Sequence, residues 1–247
     1  MIYRIASKSN DKIKNLVKLY DSKYRKEAGL FLVEGYHMLE MALKANAVQS
    51  VFTTKEIKDL DKNIDQYIVY DDVMAKISKN KSSQGVIAVC KMKQNSEVYG
   101  HKVLYLDNVS DPGNVGTILR SALAFGYKDV LLSSGSCSIY NEKVLQSTQG
   151  AIFELNIVEG VDDLKSLKND GYRLIATALR NSINLSEVPS IDKKFVLILG
   201  NEAHGVSDKI LDLADIAVRI EINNMESLNV GVAGGIAMYE LNKIYGK

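Results

Sequence analysis

Tryptophan is absent from this 247-residue chain, and proline, cysteine and histidine are scarce, at two, two and three copies. Each shortage closes a line of explanation. Cys90 and Cys137 are too few and too far apart for a disulfide framework or a CxxC metal pair, and two free thiols suit a reducing cytoplasm. His37, His101 and His204 are isolated and no HExxH occurs, so a zinc site has no ligand cluster to rest on. Two prolines provide no rigid spacer. The longest apolar runs, such as Phe195 to Leu199, fall far short of the roughly 18 residues of a membrane span. The first twenty residues carry Arg4, Lys8, Lys12, Lys14 and Lys18 without the apolar core of a secretory signal. Neither a membrane nor export is expected.

What is present is an ordinary globular mixture, 46% hydrophobic with 31 basic and 30 acidic side chains. That suffices for a sizeable core, and the length fits one or two domains. The near-zero net charge hides an asymmetry. Residues 1–100 hold 17 Lys/Arg against 12 Asp/Glu, whereas residues 101–247 hold 14 against 18. The first 26 residues alone carry eight basic groups, two acidic ones, and Tyr3, Tyr20 and Tyr24. Such a stretch suits a phosphate backbone, and equally a lysine-rich helix face in water.

After Ser9-Asn10-Asp11, the spacing of Ile13, Leu16, Val17 and Tyr20 predicts an amphipathic helix. Strands follow at Leu30–Glu34, Val48–Thr54, Gln66–Tyr70 and Gly85–Lys91, with helices at Gly35–Ala45 and Asp72–Ser78, which implies a small α/β sandwich. Met92 to Gly100 is polar and aperiodic, and it places a short linker and a boundary between domains 1–95 and 96–247. The second half alternates strands at Val103–Leu106, Val130–Ser133, Tyr172–Ala178 and Phe195–Leu199 with helical stretches, the order of a mostly parallel, buried sheet. Leu228 to Ile244 is apolar almost all round and should be buried.

Three motifs carry chemistry. In Leu106 to Gly126 (LDNVSDPGNVGTILRSALAFG) a strand ends in a polar turn and a helix begins. Asn114 and Gly116 then lie where exposed helix N–H groups would dock an anion or polar ligand, and Arg120, nearly two turns on, can reach back toward the same crevice. The same residues would serve a well-capped helix with one salt-bridged arginine. Neither G-x-G-x-x-G nor G-x-x-x-x-G-K-[ST] is present, which argues against dinucleotide-binding and phosphate-loop readings. In LGNEAHGVS, Gly200 and Gly205 permit close backbone approach to a ligand, Glu202 is the informative carboxylate, and Ser207 can cap a following helix. In IEINNMESLNV, Ser227 and Asn229 flank an apolar Leu228 ahead of the last helix, where Ser227 could equally be a plain N-cap.

Taken in order, DPGNVGTILRSALAFG, LGNEAHGVS and ESLNVGVAGGIAMYE resemble the three motifs of the SpoU (TrmH-type) branch of the SPOUT RNA methyltransferases, over about residues 103–245. The first 90 or so residues, with KYRKEAGLFLVEGYHMLEMAL, resemble the small L30e-like domain that often precedes it. The resemblance implies an L30e-like RNA substrate-binding domain followed by a SPOUT domain of mostly parallel sheet with a C-terminal deep trefoil knot. It implies methyl transfer from S-adenosylmethionine to a ribose 2'-hydroxyl of structured RNA. Ribosomal RNA (23S) is the first expectation, and transfer RNA or a non-catalytic assembly role are the alternatives. A cytoplasmic homodimer formed through the C-terminal domain is also implied. The family pattern places Asn114, Arg120, Glu202, Ser227 and Asn229 in the catalytic centre, and Thr177, Leu199, Gly200, Ile220, Ile222 and Leu228 around the donor, with no metal. The sequence departs from that pattern at Glu221, Asn223 and Asn224 in the donor loop, and at Gly231 after SLNV.

Overall fold

The computed structural model describes residues 1–80, 82–97 and 99–246. They form two compact units, Met1–Gln94 and Asn95–Lys247. The first runs β1 (Ile2–Ile5), α1 (Asp11–Lys18), α2 (Ser22–Ala28), β2 (Leu30–Glu34), α3 (Tyr36–Lys44), β3 (Val48–Thr53), β4 (Asp65–Val69), α4 (Asp71–Ile77) and β5 (Val86–Lys91). Its five strands lie in the order β1-β4-β3-β5-β2. The β1–β4 and β3–β4 pairs are parallel, and β5 runs antiparallel to β2 and β3. Helix α1 starts where the Asn10 side chain accepts from the Lys12 N–H, and it buries Ile13 and Leu16 against Phe52, Tyr67, Val73 and Ile87. Helix α2 ends on Gly29 at φ 65°, a conformation that glycine adopts without strain.

The second unit runs β6 (Lys102–Leu106), α5 (Pro112–Ala124), β7 (Asp129–Leu132), α6 (Glu142–Thr148), β8 (Asn156–Glu159), α7 (Lys165–Asn169), β9 (Arg173–Thr177), β10 (Ile183–Asn184), β11 (Phe195–Leu199), α8 (Asp208–Leu211), β12 (Ile216–Arg219) and α9 (Val230–Ile244). Seven strands form one sheet in the order β10-β12-β9-β11-β6-β7-β8, and every pair is parallel. The central β11 is buried along its whole length, as a strand covered on both faces must be. Alternation turns Val196 and Ile198 toward Leu167 of α7 and Ile210 of α8, and Leu199 toward α9. Parallel pairing brings the C-terminal ends of β6, β9, β11 and β12 to one edge, where their loops meet.

The sequence reading sets no bounds for several elements, β1, α2, β8, β10 and β12 among them. Each is short, and β1, β8 and β10 lie at sheet edges where no strict apolar alternation is demanded. The final helix also departs from expectation. It buries Gly231, Gly234, Ala237, Met238 and Leu241 but leaves Val232 and Tyr239 about half exposed, so only one of its faces packs within the chain. Gly234 explains the close approach on that face, since a Cβ there would stand 2.6 Å from Leu199 Cδ1. Among the described residues no helix is long and apolar enough to cross a membrane.

Candidate active site

The site assembles where β6 gives way to α5, β11 to the 200–207 loop, and β12 to the segment before α9. Helix α5 begins with Asp111 as N-cap, its carboxylate accepting from the Asn114 N–H at 2.8 Å, and Pro112 opens the first turn. This cap fixes Asn114 at the helix entrance, and its side chain is then used twice. Nδ2 donates to Glu202 Oε1 at 3.0 Å, and Oδ1 accepts from Asn229 Nδ2 at 2.9 Å. Asn229 in turn caps α9, its Oδ1 accepting from the N–H groups of Gly231 at 2.9 Å and Val232 at 3.3 Å.

Three residues from three motifs therefore form one continuous hydrogen-bonded chain. Its polarity is fixed, because an ionised carboxylate only accepts and the α9 N–H groups only donate. Glu202 also accepts from the N–H groups of Asp111 (3.2 Å) and Ser110 (3.4 Å). Partial burial alone would raise its pKa, but the bonds from Asn114 and the main chain outweigh it and hold the carboxyl below its ordinary range.

Beside this chain lies a cavity of about 860 Å³. Thr177, Gly200, Glu202, Ile220, Ile222, Ser227 and Leu228 line it, and Asn114, Arg120 and Asn229 do not. Leu199 is fully buried, its side chain packed beneath Gly234. Ser227 and Arg120 are exposed and hydrogen-bond to nothing among the described residues. Among the described residues Arg120 has no salt-bridge partner, against the salt-bridged-arginine alternative.

The readings of Gly116, Ser207 and Ser227 are corrected. Gly116 serves packing, since a Cβ there would lie 2.3 Å from Ser147 Cβ and 2.8 Å from the Val144 carbonyl of α6. Gly200 both lines the cavity and makes room for its own loop, a Cβ there standing 2.1 Å from the Val206 nitrogen. Ser207 occupies the N-cap position of α8 without a side-chain cap bond, and its N–H donates to Asp107 at 2.7 Å. The N-cap of α9 is Asn229 and not Ser227. Sequence reasoning passed over Asp107, Asp111 and Asn201, which hold these loops; the run of Asn and Asp at strand ends was the available signal.

A parallel α/β sheet gathering an amide–carboxylate chain and a ligand-sized cavity at the carboxyl edge of its strands defines a ligand-binding α/β enzyme domain. Comparison with known proteins narrows this. A model of the SpoU rRNA Methylase family matches residues 101–239, and one of the MRM3-like substrate binding domain matches residues 10–88. The 23S rRNA (guanosine(2553)-2'-O)-methyltransferase RlmP of Bacillus subtilis is 35% identical over 248 residues, covering 96% of this chain and 98% of that protein. The tRNA (guanosine(18)-2'-O)-methyltransferase of Aquifex aeolicus is 34% identical over 145 residues, 57% of this chain and 68% of that one. The crystal structure of an AdoMet-bound rRNA methyltransferase from Sinorhizobium meliloti superposes with a TM-score of 0.89 at 24% identity, covering 98% of each chain, and shares the fold. The chain belongs to the SpoU rRNA methylase family.

Proposed function

We propose that this protein transfers a methyl group from S-adenosylmethionine to a ribose 2'-hydroxyl of ribosomal RNA, as the full-length likeness to RlmP suggests. The observation that carries the reading is the Glu202–Asn114–Asn229 chain beside the cavity. The cavity suits the donor. Its volume is that of a nucleoside-sized ligand, and Leu179, Ile220, Ile222 and Leu228 offer an apolar slot for a base. Asp208, Asp212 and Glu226 on the wall match a sulfonium and an ammonium, while Arg180 and Arg219 match a carboxylate. When bound, the donor supplies an electrophilic methyl carbon.

The chain's own residues position the acceptor. Asn114 and Asn229 are held rigid by their shared bond, and Ser227 offers an uncommitted hydroxyl to the ribose. Arg120, without a partner among the described residues, pairs with an RNA phosphate and stabilises the alkoxide that develops on the 2'-oxygen. An arginine with a pKa above about 12 is a poor base, and the bonds from Asn114 and the main chain that lower the Glu202 pKa also weaken it as one, so the hydroxyl proton passes to solvent as the oxygen–carbon bond forms and the carbon–sulfur bond breaks. Most of the rate then comes from alignment.

The basic first unit is the RNA-gripping module, in keeping with its substrate-binding family match. The outer face of α9, with Val232 and Tyr239, is the dimer surface, and the stretch from β11 through α9 is threaded as a trefoil knot. Residues 1–95 and 96–247 act as the two functional domains of a cytoplasmic enzyme.

Purified protein, labelled S-adenosylmethionine and, separately, protein-free ribosomal RNA, isolated ribosomal subunits and unmodified transfer RNA provide the test. We expect label on one ribose 2'-oxygen of ribosomal RNA or a subunit, and none with Arg120→Ala. Label on transfer RNA alone would move the substrate class, and failure to bind the donor would overturn the reading.

A further inference from the structure

Asn108, directly after β6, has a left-handed backbone at φ 57°. Residues other than glycine, asparagine and aspartate adopt that region only at a cost. It is held there from several sides. Its N–H donates to Ser133 Oγ at 2.8 Å, and its Nδ2 donates to Asp107 Oδ1 at 2.8 Å. The loop after β7 closes on it so tightly that a Cβ on Gly135 would stand 1.9 Å from Asn108 Oδ1.

This conformation turns the Asn108 carbonyl toward the neighbouring loop, where it accepts from Asn201 Nδ2 at 2.8 Å. The Asn201 amide cannot face the other way, because its Oδ1 already accepts from the N–H groups of Ala203 (2.9 Å) and His204 (3.1 Å). The same Nδ2 lies 3.5 Å from Glu202 Oε2. At the far end of the loop, Asp107, only 3% exposed, takes the Ser207 N–H on Oδ2 at 2.7 Å. Two consecutive residues, 107 and 108, thus hold the 200–207 loop near both its ends, and Glu202 stands between the two fastenings.

We infer that Asn108 is a positioning residue for the methyl-transfer site: its left-handed carbonyl clasps Asn201 and thereby sets where the Glu202 carboxylate meets Asn114. The catalytic purpose of the clasp rests on the function proposed above; the clasp itself does not. The backbone, rather than the amide side chain, is the working part. Glycine at 108 keeps the conformation and loses the side chain, whereas alanine opposes the conformation.

The test compares wild type, Asn108→Gly and Asn108→Ala by two readouts. One is the ¹³C carboxyl titration of Glu202, its resonance identified by Glu202→Gln. The other is kcat and KM for donor and RNA. Asn108→Gly should keep the wild-type Glu202 titration and stay within about threefold in kcat. Asn108→Ala should move the Glu202 pKa upward and lower kcat at least about tenfold, with KM values within about twofold. Asn201→Ala removes the same bond together with the two bonds from the Ala203 and His204 N–H groups, so it should lower kcat at least as far as Asn108→Ala, and the double variant should lose no more than Asn201→Ala alone. An unchanged Glu202 titration in Asn108→Ala, or equal losses in the glycine and alanine variants, would overturn the clasp. Wild type that shows the expected titration contrast yet methylates no RNA would overturn the proposed function and leave the clasp standing.

Discussion

The side-chain amide of Asn114 donates to Glu202 Oε1 at 3.0 Å, and this one bond decides which way the amide faces. With its nitrogen committed to the carboxylate, its oxygen is left for Asn229 Nδ2. Glu202→Gln puts an amide opposite the N–H groups of Asp111 and Ser110, so at least one donor must face another donor. We expect kcat to fall about 10²-fold, the scale on which a misdirected active-site hydrogen bond registers, with donor KM little changed. Steady-state kinetics at saturating RNA would show it; full activity in Glu202→Gln would mean that the carboxylate orients nothing.

Arg120 is exposed and makes no ion pair or hydrogen bond among the described residues. Arg120→Ala should leave the melting temperature unchanged, since exposed substitutions usually stay within about 0.5 kcal/mol, while methyl transfer is lost. Arg120→Lys keeps the charge without the planar fork and should fall at least about tenfold in kcat. In the dimer proposed above, with Arg120 serving the partner's cavity, subunits carrying Arg120→Ala and Ser227→Ala should restore activity when mixed. Mixed dimers verified by differential tags and still inactive would place Arg120 in its own chain's site.

The α5–α6 contact predicts a stability effect without a chemical one at the substituted position. Gly116→Ala drives a methyl into Ser147 and the Val144 carbonyl. Overpacking of this kind costs about 1–3 kcal/mol. Denaturant unfolding should show a lower midpoint at unchanged slope. No loss would mean that the two helices separate freely.

Acid lability follows from two depressed carboxyls. Burial works against Asp215, but the Leu174 N–H at 2.8 Å and the Lys168 ammonium at 3.0 Å outweigh it and lower its pKa, as Asn114 and the main chain do for Glu202. A pKa lower in the folded state gives stability that is present above the unfolded value and disappears as pH falls through the folded one. Asp215→Asn and Glu202→Gln should each flatten the stability curve below about pH 5 and barely change its shape above about pH 6. A curve as steep as wild type in acid would show that neither group is linked to folding.

The two thiols should behave differently toward alkylation. Cys90 is fully buried in β5, and burial pushes its pKa up to about 12. Cys137 is partly exposed, with a pKa raised first by partial burial and then by Asp111 and Glu159. Iodoacetamide at pH 8 should modify Cys137 slowly and Cys90 only after unfolding, as peptide mass mapping would read. Rapid labelling of native Cys90 would mean that the first unit opens readily.

Much of the second unit could be read from the chain because buried parallel strands leave a loud signal. Val103–Leu106 and Phe195–Leu199 are apolar runs with little else they could be. The meeting of Asn114, Glu202 and Asn229 could be anticipated only through family resemblance, since residues 88 and 115 positions apart are joined by topology and not by spacing. Gly116 misled for a related reason. It read as part of a docking position at the helix entrance, yet the room it leaves is taken by α6, and a missing Cβ does not announce which neighbour needs the room. Asn201 was passed over because its importance lies in an amide orientation that two main-chain N–H groups impose.

The dependence of Asn114 on Asn229 also bears on how the protein is made. Synthesis releases β6 and α5 long before α9, and until Asn229 arrives the Asn114 oxygen lacks the bond it accepts in the folded chain. A nascent chain therefore carries the first unit, the proposed RNA-gripping module, well before it carries the assembled site. For a protein whose proposed substrate is the ribosome's own RNA, activity begins only after the last helix has left the ribosome that is making it.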